Sequence, residues 1–440
     1  MSSGSGKKPL HFWILMSLVV GAIVGVIANV IAASNPAFKE TLGTINDKIM
    51  GPVGSIFLAM IFMIVVPLLL SAIVLGVGEI GEVRKFGRIG GRTLIMTVVF
   101  SGIAVALAMI AVNLVNPGRG ISQEKRDTLV AQYKDDADKK YAAAEAPEPP
   151  DPPVLGIVPK NPILEASRAL SGGILPFMFF AIIFGLAMTK VDSEVVAPLR
   201  QFFEAVFEVS QKVIDMAMTL APIGVFALIF KTGSSLGFDI FILLLKYAVL
   251  VLVVLAIHMF GVYSLLIKFI AKRNPMDFFR QCRNVMITAF ATSSSNATLP
   301  VALRDAEKEV GLPKDISSFI LTVGATANQN GTALFEGITI IFLCQLFGVE
   351  LGMADQLKVL GLAIVAGIGT AGVPGGAWPV IGAIVKGFKV PGEAIGVVLG
   401  VDRLLDMSRT VLNVVGDMAI ACCVSEWEGR GVAIPEEVQG

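Results

Sequence analysis

Five polar side chains in the stretch Val401–Val424 have types and spacing that could do chemistry together. Asp402, Asp406, Arg409, Asn413 and Asp417 lie 4, 3, 4 and 4 residues apart. On an α-helix, at about 100° per residue, they fall within an arc of about 80°. One face then carries three carboxylates, one guanidinium and one amide, while leucines, valines and Met418 fill most of the remaining surface. At a bilayer centre each charge costs roughly 2.5–3.5 kcal/mol, so four left unpaired would cost on the order of 10 kcal/mol. A buried ion-pair ladder is the structural alternative, but no structural need explains such a load on one membrane helix. The face reads as a binding site for a charged solute and its ions.

The elements that must position this face are set by composition. The chain has 440 residues, 55% of them hydrophobic and only 16% charged, with a formal net charge of zero. That excludes an ordinary soluble globule and fits an all-α polytopic membrane protein. The balanced charge suggests no nucleic-acid partner. The two histidines, His11 and His258, give no basis for a histidine triad or a zinc site. Ser293–Ser295 lack a Gly-x-Ser-x-Gly elbow and a nearby histidine base, which argues against an enzyme. Cys282, Cys344, Cys422 and Cys423 form neither a metal-ligand spacing nor a disulfide framework.

Runs of about 20 apolar residues mark membrane spans. They are expected at 10–33, 50–77, 93–115, 163–190, 195–231 and 239–271. The first run is too long for a signal-peptide core. Residues 119–160 carry charges of both signs and the run EAPEPPDPP, so they are expected to form a flexible loop on the extracellular side. Arg84, Lys85, Arg88 and Arg92 follow the second span, and Lys268, Lys272, Arg273, Arg280 and Arg283 follow the sixth. With Lys7 and Lys8, they assign both loops and the N-terminus to the cytoplasm.

Beyond residue 283 the hydropathy breaks down. Thr292-Ser293-Ser294-Ser295-Asn296 interrupts the apolar segment 284–302, and Gly369–Gly376 interrupts 357–388. Each arm is too short to cross, so both read as re-entrant helical hairpins. Between them a span at 315–346 is broken at Asn328-Gln329-Asn330-Gly331-Thr332. Non-helical backbone at membrane depth is tolerated only inside protein or beside a cavity, and broken helices expose carbonyls for cations and N–H groups for carboxylates. Three breaks in succession, followed by the charged helix at 395–424, predict a midplane binding site.

At SSSNATLP (293–300), NQNGTALFEG (328–337), GTAGVPGG (369–376) and DRLLDMSRTVLNVVGD (402–417) the chain resembles the glutamate/aspartate transporter family, the dicarboxylate/amino acid:cation symporters that include the excitatory amino acid transporters. The resemblance covers nearly the whole chain. It implies eight transmembrane helices plus two re-entrant hairpins in a homotrimer embedded in lipid, located in the inner membrane with both termini cytoplasmic. It also implies an elevator. The scaffold would comprise 10–77 and 163–231, and the transport unit 93–115 and 239–424. The implied activity is cation-coupled symport of aspartate or glutamate. C4-dicarboxylate or neutral amino acid transport, or an anion-conducting channel, stand as alternatives.

Carried over residue by residue, Asp406 resembles the carboxylate that takes the substrate ammonium, and Arg409 the fork that holds the substrate's side-chain carboxylate. Thr410 and Asn413 resemble partners of its α-amino and α-carboxylate groups, and Asp402 could orient Arg409. Ser294 and Ser295 in the first hairpin, Val373 and Gly375 in the second, and Thr332 in the broken span should close around the ligand. Asp417, Asn413, Asn328 and the Gly324 carbonyl match a first sodium site. Thr326 with the Gly367, Ile368 and Thr370 carbonyls resembles a second. No other cofactor is implied.

The chain departs from sodium-coupled relatives in the span-seven motif, which there reads Asn-Met-Asp-Gly-Thr. Its methionine is Gln329 here, and its aspartate, an anionic ligand of a further sodium site, is Asn330. A hydroxyl partner of that site falls at Phe100, followed by Ser101. These losses predict an absent or altered third sodium site and a reduced sodium requirement. Glu336, four residues after Thr332, matches a glutamate that resembles a proton carrier in animal members, and burial would raise its pKa. Trp378 and Pro379 follow the second tip, where a bulky ring could change gate mobility. Arg403, about 100° from Asp402 around the helix, receives no function.

Overall fold

The computed structural model describes residues 10–83, 88–130, 158–168, 174–369 and 375–430. Among these the chain is helical, and no strand occurs. The stretch read as the first span is one helix, α1 (Leu10–Ser34). The second begins earlier than its hydropathy suggests, because Asn35 caps a helix α2 (Pro36–Ile45) that the polar KETLGT stretch conceals. A π-helical turn, Asn46–Met50, then leads into α3 (Gly51–Phe62) and α4 (Val65–Val83). Helix α5 (Arg88–Val115) corresponds to the third span. The segment expected to be a flexible loop from 119 starts otherwise: 123–130 are helical and Leu129 is fully buried. The rest of that segment, 131–157, lies outside the described residues, as do Arg84 and Lys85.

The fourth span divides into α6 (Pro162–Ser167) and α7 (Ile174–Met188). The fifth is two helices, α8 (Ser193–Thr219) and α9 (Ala221–Leu236), meeting at a 58° bend. Pro222 explains the bend: it cannot donate to the preceding turn, and it is tolerated only at a helix start. The sixth runs through α10 (Asp239–Ala256), a π-helical turn (Ile257–Tyr263) and α11 (Ser264–Phe269). Five helices among the described residues are long and apolar enough to cross a membrane, or six if the bent pair counts as one span.

Of the three predicted breaks, the first two lie wholly within the described residues. After α12 (Pro275–Gln281), helix α13 (Arg283–Thr292) stops where Ser293 takes a left-handed backbone, φ 51°. Ser294 then caps α14 (Ser295–Lys308), its hydroxyl accepting from the Ala297 N–H. Helices α15 (Lys314–Ala327) and α16 (Asn330–Leu346) are separated by only Asn328 and Gln329. In the segment expected to form the second hairpin, α17 (Met353–Gly369) and α18 (Trp378–Gly387) flank the glycine-rich run. Thr370 and Val373 lie outside the described residues. Gly375 is described, at φ 80°, a conformation that favours glycine.

A short 3₁₀ segment (Gly392–Val397) leads into α19 (Leu399–Trp427), which carries the polar face. Almost all of α19 from Asp402 to Ser425, and every residue of α16, is buried. Helices α13, α15, α16, α10 and α5 pack around α19, while α1 packs chiefly on α9, and α4 on α7 and α8. Lipid-type side chains such as Ile23, Val30, Ile95 and Leu245 stay exposed on the outer helices.

One end of this core is tied by charge. Arg88 and Arg92 both pair with Glu428, at 2.8 and 2.7 Å. Lys272 pairs with Glu426 at 2.8 Å, and Arg430 pairs with Asp315. Its hydrogen bond with Arg88 holds the Glu428 carboxyl below the usual carboxylate range. Arg88, Arg92 and Lys272 therefore share one end of the molecule with the end of the last helix.

Candidate functional site

The face of α19 is met by the first hairpin, by the break between α15 and α16, and by Trp378 at the start of α18. Arg409 is its centre. Its guanidinium bonds Asp406 Oδ1 at 2.7 Å and Asp402 Oδ1 at 3.3 Å, with all three residues almost wholly buried. Charge-assisted pairs of this kind are strong only when their remaining valences are filled, because desolvation is costly. Here those of Asp402 are filled and those of Asp406 only in part. The Trp378 indole N–H donates to Asp402 Oδ2 at 2.7 Å, and Arg403 approaches Asp406 Oδ2 at 3.7 Å. The guanidinium also lies 4.2 Å from the Phe335 ring centroid, and Trp378 meets Phe335 edge-on at 5.5 Å.

Asp402 thus meets Arg409 directly. Trp378, expected only to add bulk, instead fixes Asp402 from the second hairpin. Arg403, given no function from the sequence, faces the Asp406 carboxylate. The Thr410 hydroxyl donates to the Asp406 carbonyl of its own helix at 2.8 Å.

One turn on, Asn413 joins the broken span to α19. Its Oδ1 accepts from the Gly331 N–H at 2.7 Å. Its Nδ2 donates to Thr332 Oγ1 at 3.2 Å and to Gln329 Oε1. Only glycine fits at 331, because a Cβ there would come within 2.6 Å of the Arg409 carbonyl. Gln329 Nε2 in turn donates to the Ala325 carbonyl at 2.9 Å and reaches Ser295 Oγ at 3.4 Å. Glu336 is fully buried on the next turn of α16 and is an electrostatic neighbour of Arg409.

A third layer lies around Asp417. Asn328 Nδ2 donates to Asp417 Oδ1 at 2.6 Å, and a Cβ on Gly324 would collide with the same carboxylate. The α15 backbone therefore passes directly over Asp417. Asn328 Oδ1 is buried without a hydrogen-bond partner, a costly state for an amide oxygen. An orphaned oxygen beside a buried carboxylate suits a hard monovalent cation. Among the described residues no three His, Cys, Asp or Glu side chains come together as a metal cluster. Thr326, Gly367 and Ile368 lie on the helices that flank this layer, α15 and α17.

Asn330 bonds a tyrosine rather than a carboxylate. Its Nδ2 donates to the Tyr263 hydroxyl at 3.1 Å, and that hydroxyl donates to the Leu412 carbonyl at 3.2 Å. Phe100 stacks on the Tyr263 ring, with centroids 5.5 Å apart and planes 28° apart. Asn330 and Phe100, the two departures found separately in the sequence, thus meet across one tyrosine. Ser101, next to Phe100 in the chain, is also buried.

The match to known families follows this geometry. The model of the sodium:dicarboxylate symporter family matches residues 10–427. The chain belongs to that family. It is a family of transporters, which makes this an integral membrane protein. The chain is 33% identical to a proton/sodium-glutamate symport protein of Bacillus caldotenax, over 94% of each chain. It is 31% identical to a proton/glutamate-aspartate symporter of Escherichia coli K12, covering 96% of this chain and 94% of the relative. A C4-dicarboxylate transport protein of Bacillus subtilis is 25% identical, over 96% and 94%.

Within this family member, sequence reasoning missed four partners: Trp378, Phe335, Arg403 and Gln329. For Trp378 a signal was available, since a buried indole N–H nearly always needs an acceptor. Arg403 was also signalled, as an i,i+3 neighbour of Asp406, whereas Gln329 acts across a helix break and Phe335 from an apolar position.

Proposed function

We propose that this chain is a secondary active symporter of an acidic amino acid, aspartate or glutamate. The observation that carries the reading is the buried Arg409, paired with Asp402 and with Asp406 on the same helix face. An acidic amino acid can replace the Arg409–Asp406 contact without stranding either charge. Its side-chain carboxylate takes the guanidinium as a fork, and its ammonium takes Asp406. A C4-dicarboxylate has no ammonium to answer Asp406, which would be left with only Arg403, 3.7 Å away. A neutral amino acid has no side-chain carboxylate for the Arg409 fork, which then keeps only Asp402. The substrate assignments of Thr410, Asn413, Ser294, Ser295, Thr332, Val373 and Gly375 belong to this reading, and the glutamate and glutamate-aspartate relatives support it.

Coupling is assigned to the deeper layer. Asp417, Asn328, Asn413 and the Gly324 carbonyl would hold one sodium ion, and Thr326 with the Gly367, Ile368 and Thr370 carbonyls a second. The third sodium site is altered, because Asn330 supplies no charge and Phe100 fills the space beside Tyr263 with an apolar ring. A reduced sodium requirement follows, with Glu336 as the proton carrier. The charges converge on one buried patch, which favours a carrier over a dedicated channel, and nothing in the layer resembles catalytic machinery.

The transport unit, 93–115 with 239–424, would move as an elevator against a scaffold of 10–77 and 163–231 in a homotrimer. Exposed Val195, Phe202, Val209 and Met216 recur every seventh residue along α8, an apolar stripe suited to a subunit or lipid contact. The basic end of the core supports cytoplasmic termini in an inner membrane.

Uptake by the reconstituted chain tests this reading. Labelled aspartate, glutamate and succinate would be offered with a sodium or a proton gradient imposed separately. Saturable, counterflow-capable uptake of aspartate or glutamate is expected. Uptake of succinate alone, or linear unsaturable flux, would overturn it.

A further inference from the structure

At the break between α15 and α16 the last carbonyls of α15 lose their helical partners, since no backbone N–H continues the ladder. The Gly324 carbonyl is taken by the Asn328 N–H at 3.0 Å. The next carbonyl, that of Ala325, is answered by a side chain: Gln329 Nε2 donates to it at 2.9 Å. The same amide extends to Ser295 Oγ at the first hairpin tip, 3.4 Å away, and its oxygen accepts from Asn413 Nδ2 on α19. Gln329 is buried, and its donors and acceptor reach three separate elements of the site. A thioether of similar volume at this position could neither donate to the carbonyl nor hold the two side chains.

We propose that the Gln329 amide is a built-in substitute for an ordering cation. It neutralises a carbonyl exposed by the broken helix and holds the first hairpin, the break and α19 in the binding arrangement before any ion arrives. Gln329 is therefore a positioning residue, and the proposal rests on the acidic amino acid reading above. A site ordered by a cation binds substrate only after the cation has paid the ordering cost, whereas a site ordered by its own amide binds with little sodium dependence.

The test compares the purified full chain with Gln329→Met, which conserves volume, and Gln329→Glu, which keeps the acceptor toward Asn413 but loses the amide donors. L-aspartate binding is measured by calorimetry across sodium concentrations, with choline chloride as replacement. Thermal unfolding is followed in parallel without substrate. The wild type is expected to bind with nearly sodium-independent affinity. In choline, Gln329→Met should bind on the order of tenfold more weakly, the loss of a buried hydrogen bond, and sodium should restore most of it. Gln329→Glu should show the same recovery by sodium, and acidification should also recover it.

Without substrate, both variants should gain more thermal stability from sodium than the wild type does. Equal sodium dependence in wild type and variants would overturn the proposal. An equal loss of affinity at every sodium concentration would also overturn it, since a purely structural role predicts that result. If the wild type binds neither aspartate nor glutamate, the acidic amino acid reading fails, and the substrate-free thermal shift still decides the role of Gln329.

Discussion

The indole N–H of Trp378 donates 2.7 Å to Asp402, and Asp402 in turn holds one nitrogen of Arg409. A residue of the second hairpin thereby sets the orientation of a cation on the last helix. Phe335 completes the enclosure, one ring face on the guanidinium and its neighbour edge-on.

Replacing Trp378 by Phe keeps most of the ring contact and removes the donor. Asp402 then has an unanswered oxygen, worth about 1.5–3 kcal/mol for a bond to a charged group. Aspartate affinity should fall by about ten- to hundredfold, with a smaller loss of thermal stability. Isotope-binding and melting measurements on the purified variant check both. Unchanged affinity would remove Trp378 from the site.

Arg409→Lys keeps the charge and loses the fork. A lysine cannot bond Asp402 and Asp406 with fixed parallel donors, nor stack on Phe335 as a plane. Aspartate and glutamate uptake should drop at least tenfold in the lysine variant, and Arg409→Ala should abolish it. In Arg409→Ala, competition by neutral amino acids against a fluorescent or thermal-shift readout should become stronger than competition by acidic ones.

Asn330→Asp tests the altered ion layer. The new carboxylate would face the Tyr263 hydroxyl with Phe100 stacked alongside, a poor setting for a charge. The single variant should lose stability in choline and regain part of it in sodium. Combining it with Phe100→Thr should enlarge the stabilisation by sodium, because a hydroxyl then joins the carboxylate. Melting temperatures measured against sodium concentration give the answer, and a flat response in the double variant would argue against a latent third site.

Glu336→Gln removes the one acidic group of α16 at the level of Arg409. If Glu336 carries the proton, uptake driven by a proton gradient should lose its pH dependence, while aspartate binding at fixed pH changes little. Full retention of pH dependence would assign the proton to another group.

Much of this arrangement was legible before any coordinates. The five polar positions of the last helix follow from periodicity alone, and the breaks at Ser293, Asn328 and Gly369–Gly376 follow from polar or glycine-rich runs inside apolar segments. What remained hidden depends on contacts across elements. Gln329 reads as an odd replacement in a motif until Ala325, Ser295 and Asn413 are seen around its amide. Arg403 lies off the stripe by helical geometry, yet its long stem brings the guanidinium back toward Asp406. Helix α2 was obscured because Lys39, Glu40 and Thr41 dilute its hydropathy, although Asn35 and Pro36 together carry a helix-start signal. The bend at Leu220 was obscured for the opposite reason: unbroken apolar character on both sides hid the proline.

Arg403, Asp406, Arg409 and Asp402 alternate in sign along their chain of contacts, two of each. With both acids ionised, the upper part of the polar face is electrically neutral. A transmembrane voltage does work of about 2.3 kcal/mol per elementary charge at about 100 mV, and on a neutral quartet that work vanishes. Asp417, one helical turn beyond Asn413, is the formal charge left over. In the proposed symport cycle the membrane potential would therefore spare this quartet and act through the groups outside it, Asp417 with its ion and Glu336 with its proton.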